Sequence, residues 1–81
     1  MYKLNYYSKT NEEDSFKYLG MSEFFRLRRN ALHYLFEIVQ SEYRENGYAT
    51  EVRVGSLYCY RSEKDNKGNR IVKEILIKVE K

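Results

Sequence analysis

One helical pattern, over residues 23–45, constrains the fold of this chain more than any other feature. At about 100° per residue its apolar side chains gather on one face of the helix. These side chains are Phe24, Ala31, Leu32, Leu35, Ile38 and Val39. Ser22 suits the N-cap and Asn46-Gly47 suits the C-terminal stop, so the pattern predicts one helix about 35 Å long. Its apolar face must pack on another element.

The other apolar segments have the alternation and composition of β-strands. Residues 2–7 alternate with the period of a half-buried strand. Residues 15–19 fit either a short return strand or an ordered lead-in to the helix. Residues 50–61 and 70–80 are rich in β-branched and aromatic side chains and flank the turn-forming residues 65–68, which predicts a β-hairpin.

Pairing the hairpin about this turn gives an expected register and core. The inward pairs are Leu57 with Ile75, Val54 with Ile77 and Val52 with Val79. This register needs one extra residue near Gly55-Ser56, which predicts a β-bulge there. The predicted core is Leu4, Leu32, Leu35, Val39, Val52, Val54, Leu57, Ile75 and Ile77. The prediction is therefore an α+β fold with one long amphipathic helix packed on a three- or four-stranded antiparallel sheet, in the order β-(β)-α-β-β.

Length and composition limit the class of protein. At 81 residues the chain has material for one hydrophobic core, so residues 1–81 are predicted to form a single small domain. The one cysteine, Cys59, excludes an internal disulfide and fits a reducing, cytoplasmic location. The N-terminal residues lack the apolar stretch of a signal peptide, and no run is long enough for a membrane span.

Catalytic and metal-binding patterns are weak. His33 is the only histidine and is expected on the polar helix face, whereas Cys59 is expected to point into the core, so they are unlike a nucleophile pair. The acidic run Glu12-Glu13-Asp14 lacks the spacing of a calcium loop and is predicted to be a solvated loop. The four glycines are scattered and form no phosphate-binding loop. We expect a non-enzymatic protein without metal or cofactor.

Two surfaces could bind a partner. The net charge of +3 resides in residues 49–81, and the outward hairpin face combines aromatic, apolar and cationic side chains typical of protein interfaces. The predicted protein-binding residues are Arg53, Tyr58, Tyr60, Val72 and Leu76. The alternative is direct DNA or RNA binding through a helix arginine stripe and a basic hairpin tip. Its residues are Arg26, Arg29, His33, Arg44, Lys64, Lys67 and Arg70.

A homodimer through the helix is a further possibility. Arg28 and Glu42 lie seven residues either side of Leu35, so an antiparallel helix pair centred on Leu35 would place each arginine opposite a glutamate. The alternative is that both charges lie where a long helix overhangs a shorter sheet.

No motif identifies a family. The chain is short, has no proline, and is rich in Tyr, Lys, Glu and Asn. In size and composition it resembles the small phage or mobile-element proteins that disable host machinery, anti-CRISPR inhibitors among them. This resemblance implies an inhibitor that binds a nucleic-acid-handling host protein.

Overall fold

One helix lies across one face of a five-stranded antiparallel sheet in the computed structural model, which describes residues 1–81. The strands are β1 (Tyr2–Thr10), β2 (Lys17–Phe25), β3 (Ala49–Arg53), β4 (Ser56–Lys64) and β5 (Arg70–Glu80). Their order across the sheet is β2-β1-β5-β4-β3. The α+β prediction is confirmed, with five strands instead of three or four because β2 and β3 are both separate strands.

The helix, α1, spans residues 28–45 and begins later than the sequence predicts. Residues 23–25 belong to β2, where Phe24 and Phe25 pair with β1. Aromatic side chains favour a sheet, and the pairing supplies partners for their backbone groups. Ser22 is therefore a strand residue whose hydroxyl has no hydrogen-bond partner, and Leu27 occupies the N-cap position without a side-chain cap.

A π-helical turn interrupts α1. The helix is α-helical over Arg28–Tyr34, π-helical over Leu35–Val39 and α-helical again over Gln40–Glu45. The N–H of Gln40 donates to the carbonyl of Leu35, the i to i+5 bond that defines such a turn. Each residue of this wider turn rotates by a smaller angle about the helix axis. Val39 therefore stays on the sheet-facing side of the helix with Leu35, while Ile38 turns towards solvent. The prediction that Ile38 faces the core is wrong, and this side chain is 45% exposed.

The segment predicted as one bulged strand, residues 50–61, contains a tight turn. Arg53 pairs with Ser56, and Val54-Gly55 form the connection between β3 and β4, with Gly55 at φ +69°. The glycine that predicted a bulge instead permits this turn. The true register of β4 on β5 places Leu57 opposite Ile77, so the predicted register is wrong by one pair along the inward face. Val54 is 99% exposed at the turn.

The core lies between α1 and the sheet. Its buried side chains are Leu4, Ala31, Leu35, Val39, Leu57, Cys59 and Ile77, with Ile75 and several aromatic rings packed around them. Of the predicted core, Val52 and Val54 are exposed and Leu32 is half-buried. Cys59 points inward as predicted. The helix α1 lacks the length and hydrophobicity that a membrane-spanning helix requires.

The helix covers only half of the sheet's length. The core contains no residue of β1 beyond Tyr6, none of β4 beyond Cys59 and none of β5 before Ile75. The β1–β2 and β4–β5 hairpins therefore extend past the buried core. This extension gives the molecule dimensions of 46 × 24 × 19 Å.

Candidate functional site

The sheet face opposite α1 carries a row of large side chains across four strands. Tyr18 of β2 pairs with Tyr7 of β1, Tyr7 pairs with Leu76 of β5, and Leu76 pairs with Tyr58 of β4. Tyr60 lies beside Tyr58, two residues further along β4. We call the face of the sheet that carries these five residues the aromatic face. Strand side chains alternate between the two faces, so residues that face away from α1 meet no second layer.

The rings of the aromatic face contact one another and nearby cations. The ring centroids of Tyr58 and Tyr60 are 5.6 Å apart, and those of Tyr7 and Tyr18 are 5.5 Å apart. The Arg53 guanidinium lies 4.4 Å from the Tyr58 ring centroid. Lys78 Nζ lies 5.2 Å from that of Tyr7. These contacts hold one aromatic pair on each side of Leu76.

Two carboxylates fix the tyrosine hydroxyls. Tyr58 OH donates to Glu74 at 2.6 Å, and Tyr7 OH donates to Glu80 at 2.8 Å. Asn5 Nδ2 also donates to Glu80, at 3.0 Å. Burial, together with the hydrogen bond to Glu74, raises the pKa of Tyr58 to about 12. The hydrogen bonds from Asn5 and Tyr7 hold the pKa of the Glu80 carboxyl below its ordinary value. Both hydroxyls are therefore protonated donors at neutral pH.

Most of the predicted protein-binding residues come together on this face. Arg53, Tyr58 and Leu76 are in neighbouring positions on three adjacent strands, and Tyr60 adjoins them. Val72 faces the same way but lies nearer the hairpin tip, opposite Ser62.

Sequence reasoning missed the contribution of the first hairpin. Tyr7 and Tyr18 supply half of the aromatic rings, although the sequence pattern does not predict either as a binding residue. The alternation of residues 2–7 separates Tyr7 from the apolar set, which was the available signal. Only the strand order, with β1 next to β5, shows that Tyr7 joins the hairpin face.

The predicted nucleic-acid-binding residues form separate groups. The side chain of Arg28, at the start of α1, reaches Gly55 at the β3–β4 turn, so the helix starts near that turn. Lys64, Lys67 and Arg70 surround the β4–β5 loop at the other end of β4, a strand of about 30 Å. Arg26, Arg29 and His33 belong to the helix start, whereas Arg44 donates to Thr50 Oγ1 at 3.1 Å. The seven residues do not form one continuous patch.

A cleft opens on the other face, where α1 ends. It has a volume of about 420 Å³ and is lined by Tyr6, Val39, Glu42, Tyr43, Asn46, Tyr48 and Arg61. The Arg61 guanidinium lies 4.7 Å from the Tyr48 ring centroid and donates to the carbonyl of Asn46. Burial raises the pKa of Tyr43 to about 12. The cleft therefore presents protonated hydroxyls and a cation that already has protein partners.

The side chains with catalytic potential remain apart. Cys59 is fully buried, and burial raises the pKa of its thiol to about 11. A protonated thiol is a poor nucleophile and a poor metal ligand. His33 is exposed on α1, and no group of three or more His, Cys, Asp or Glu side chains comes together.

Comparison with known proteins assigns no family, since no family model, no curated protein and no solved structure matches the chain. The class defined by fold and site is a two-layer α+β protein with one open, aromatic sheet face.

Proposed function

We propose that this chain is a non-enzymatic protein-binding module that acts through the aromatic face. The single observation that carries the proposal is that one whole face of the sheet has no covering layer although it is rich in large side chains. Tyr18 is 57% exposed, Tyr60 is 43% exposed, and Met21 and Phe24 of β2 extend the exposed set. A contiguous apolar and aromatic surface of this kind marks a protein-interaction site.

The charges on the aromatic face favour a protein over a nucleic acid. Glu51, Glu74 and Glu80 lie on this face among the rings, and each is bonded to a side chain of the same face. A phosphate backbone would be repelled by three carboxylates, and the cations beside them are partly neutralised. Protein interfaces, in contrast, combine aromatic anchors with charge pairs of both signs.

The rings are suited to act as anchors because they are already ordered. Tyr58 is held by Glu74 and Arg53, and Tyr7 is held by Glu80 and Lys78. Little side-chain entropy is then lost when a partner covers them.

We further propose that the partner is a nucleic-acid-handling protein of a host cell and that the chain inhibits it in the cytoplasm. The support is the resemblance in size and composition to small phage or mobile-element inhibitors. Direct DNA or RNA binding through Arg26, Arg29 and the hairpin tip is the alternative, which the same experiment tests.

The test is affinity capture from cytosolic lysate, before and after nuclease treatment, followed by binding measurements with the purified partner. We expect the wild type to capture a protein after nuclease treatment. Tyr58→Ala/Tyr60→Ala should weaken this binding at least about tenfold, because central aromatic anchors dominate interface energies. The matched control Arg26→Ala/Arg29→Ala should bind like the wild type. If the partner processes DNA or RNA, the wild type should inhibit that activity and the tyrosine variant should not.

Salt dependence separates the alternative. Where phosphate contacts govern binding, the logarithm of the binding constant falls with the logarithm of the salt concentration, with a slope of about −0.9 per phosphate. The affinity of an aromatic protein interface responds only weakly to salt. Capture that disappears with nuclease, or tight binding to DNA that is lost in Arg26→Ala/Arg29→Ala and kept in the tyrosine variant, would contradict the proposal.

A further inference from the structure

The two edge strands of the sheet differ in how well they are protected. The register between β1 and β2 is interrupted twice, between Lys3 and Asn5 and between Tyr6 and Tyr7. Such bulges twist an edge and discourage a further strand from pairing with it. The other edge, β3, pairs with β4 without interruption over all five of its residues. It is a regular edge with no proline and no bulge.

The free backbone groups of β3 follow from its turn. Arg53 and Ser56 close a two-residue connection, so they form a hydrogen-bonded pair. Hydrogen-bonded pairs alternate along an antiparallel ladder, so Glu51 and Ala49 also bond towards β4. The N–H and C=O groups of Thr50 and Val52 therefore point away from the sheet.

The side chains of β3 are complementary to those of a second, antiparallel copy. Rotation about a two-fold axis at Val52 places Val52 opposite Val52 of the second copy and Glu51 opposite its Arg53. Within one chain, Glu51 and Arg53 are already neighbours on the same face, with Arg53 Nη2 2.9 Å from Glu51 Oε2. The two-fold pairing sets both carboxylates beside both guanidiniums. Val52, which is 55% exposed, gains an apolar partner on the face that carries α1.

We propose that β3 mediates a symmetric dimer in which two five-stranded sheets join, edge to edge, into one sheet of ten strands. Backbone bonds from the outward groups of Thr50 and Val52 form the junction, and the reciprocal Glu51–Arg53 pairs fix its register. This inference does not depend on the proposed function. In such a dimer the two aromatic faces lie on the same side of the continuous sheet.

The first test removes the outward donor. Val52→Pro deletes an N–H that makes no bond to β4, and proline is tolerated at such edge positions. We expect the wild type to be a dimer by sedimentation equilibrium at micromolar concentrations and Val52→Pro to be a monomer with an unchanged circular dichroism spectrum. A wild type that is monomeric throughout this range, or a Val52→Pro variant that still dimerises, would overturn the proposal.

A charge exchange tests the register without altering the backbone. Arg53→Glu places glutamates opposite each other across the two-fold axis and should abolish the dimer. Glu51→Arg/Arg53→Glu restores opposite charges in each pair and should recover it. A double variant that remains monomeric while folded would count against this register.

Cross-linking locates the interface directly. Val52→Cys places two thiols across the axis with Cα atoms about 5.5 Å apart, which a disulfide can span. The matched control is Val54→Cys, where the same register separates the two sulfurs by more than about 10 Å. The native thiol of Cys59 is buried and does not compete. Rapid oxidation of Val52→Cys to a covalent dimer is expected; equal rates for both variants would contradict the two-fold pairing.

Discussion

Leu35 illustrates how much of the stability depends on single side chains. It is fully buried, with 0% exposure, and packs in the cluster beneath α1. Leu35→Ala should lower the free energy of unfolding by about 2–5 kcal/mol, measured by urea denaturation. The matched control is Ile38→Ala, which shortens a side chain that is 45% exposed and should cost under about 1 kcal/mol. Similar losses for both variants would mean that Ile38, not Leu35 alone, faces the core.

The same burial bears on the helix-mediated dimer. Leu35 contacts the sheet of its own chain, so it cannot be the centre of a helix pair between two chains. Arg28 and Glu42 are exposed, and a homodimer through the helix stays a prediction.

Glu80 should make stability depend on pH. The hydrogen bonds from Asn5 and Tyr7 lower its pKa from the ordinary value of 4.5. A carboxyl with a lowered folded-state pKa contributes stability above its unfolded-state pKa and loses it as the pH falls through the folded-state pKa. Glu80→Gln should therefore be less stable than the wild type by about 1 kcal/mol near neutral pH, because its hydrogen bonds are no longer charge-assisted.

Denaturation at several pH values checks this. The difference between Glu80→Gln and the wild type should shrink as the pH falls below 4.5 and through the lowered pKa of Glu80, because the native carboxyl then becomes protonated too. Glu12→Gln, at an exposed loop position, is the control and should leave stability unchanged. A deficit in Glu80→Gln that is constant with pH would exclude the charge as its cause.

At the scale of elements, the start of α1 is open to improvement. Leu27 has the extended backbone of an N-cap, φ −112° and ψ 137°, but no side-chain oxygen to bond the first N–H groups of the helix. Leu27→Ser should have a free energy of unfolding about 0.5–2 kcal/mol higher than Leu27→Ala, because only serine supplies a capping oxygen. Leu27→Ala is the matched control: Leu27 is 46% exposed, and both changes remove the same apolar contacts. Ser22→Ala should leave the melting temperature almost unchanged, because Ser22 does not cap the helix. A clear loss of stability in Ser22→Ala, together with no effect of a serine at position 27, would place the helix start at residue 23.

The elements that the sequence misplaces share one cause, which is that local signals were compatible with two structures. Ser22 followed by Glu23 satisfies a cap pattern, yet both lie in β2. The strand signal there is hidden because the partners of Lys3 and Asn5 are three positions apart in β2, which breaks the two-residue alternation. Gly55 is equally suited to a bulge and to a turn. Tertiary pairing decides between these structures, and no local pattern reports it.

At the scale of the whole molecule, the fold class was predictable and the strand order was not. One apolar helix face and alternating strands lead to an α+β layer structure. Placing β1 between β2 and β5 depends on contacts between the two ends of the chain, such as Lys3 with Glu80. The hairpin half of the aromatic face was therefore predicted, whereas the half from Tyr7 and Tyr18 required the complete sheet.

The half of the sheet that extends beyond the helix should open and close independently of the half that packs on the core. Its strands have hydrogen bonds but no apolar layer on either face, and an ion-pair cluster of Arg61, Glu63 and Lys73 occupies the positions where the core would continue. Local opening there costs less free energy than global unfolding. The hydrogen-exchange rates of the backbone amides should therefore fall into two groups within the same strand.

In β5, the amides of residues 75–79 should exchange only through global unfolding, and those of residues 70–73 through cheaper local opening. Urea should distinguish the two groups: the exchange rate of the first rises steeply with denaturant concentration, and that of the second hardly changes. Uniform protection along β5 would contradict this. With two such groups of amides, each strand that passes from the core into the extension joins a slowly opening base to a rapidly fluctuating tip. One end of this small protein then keeps a single conformation, while the other end samples many conformations.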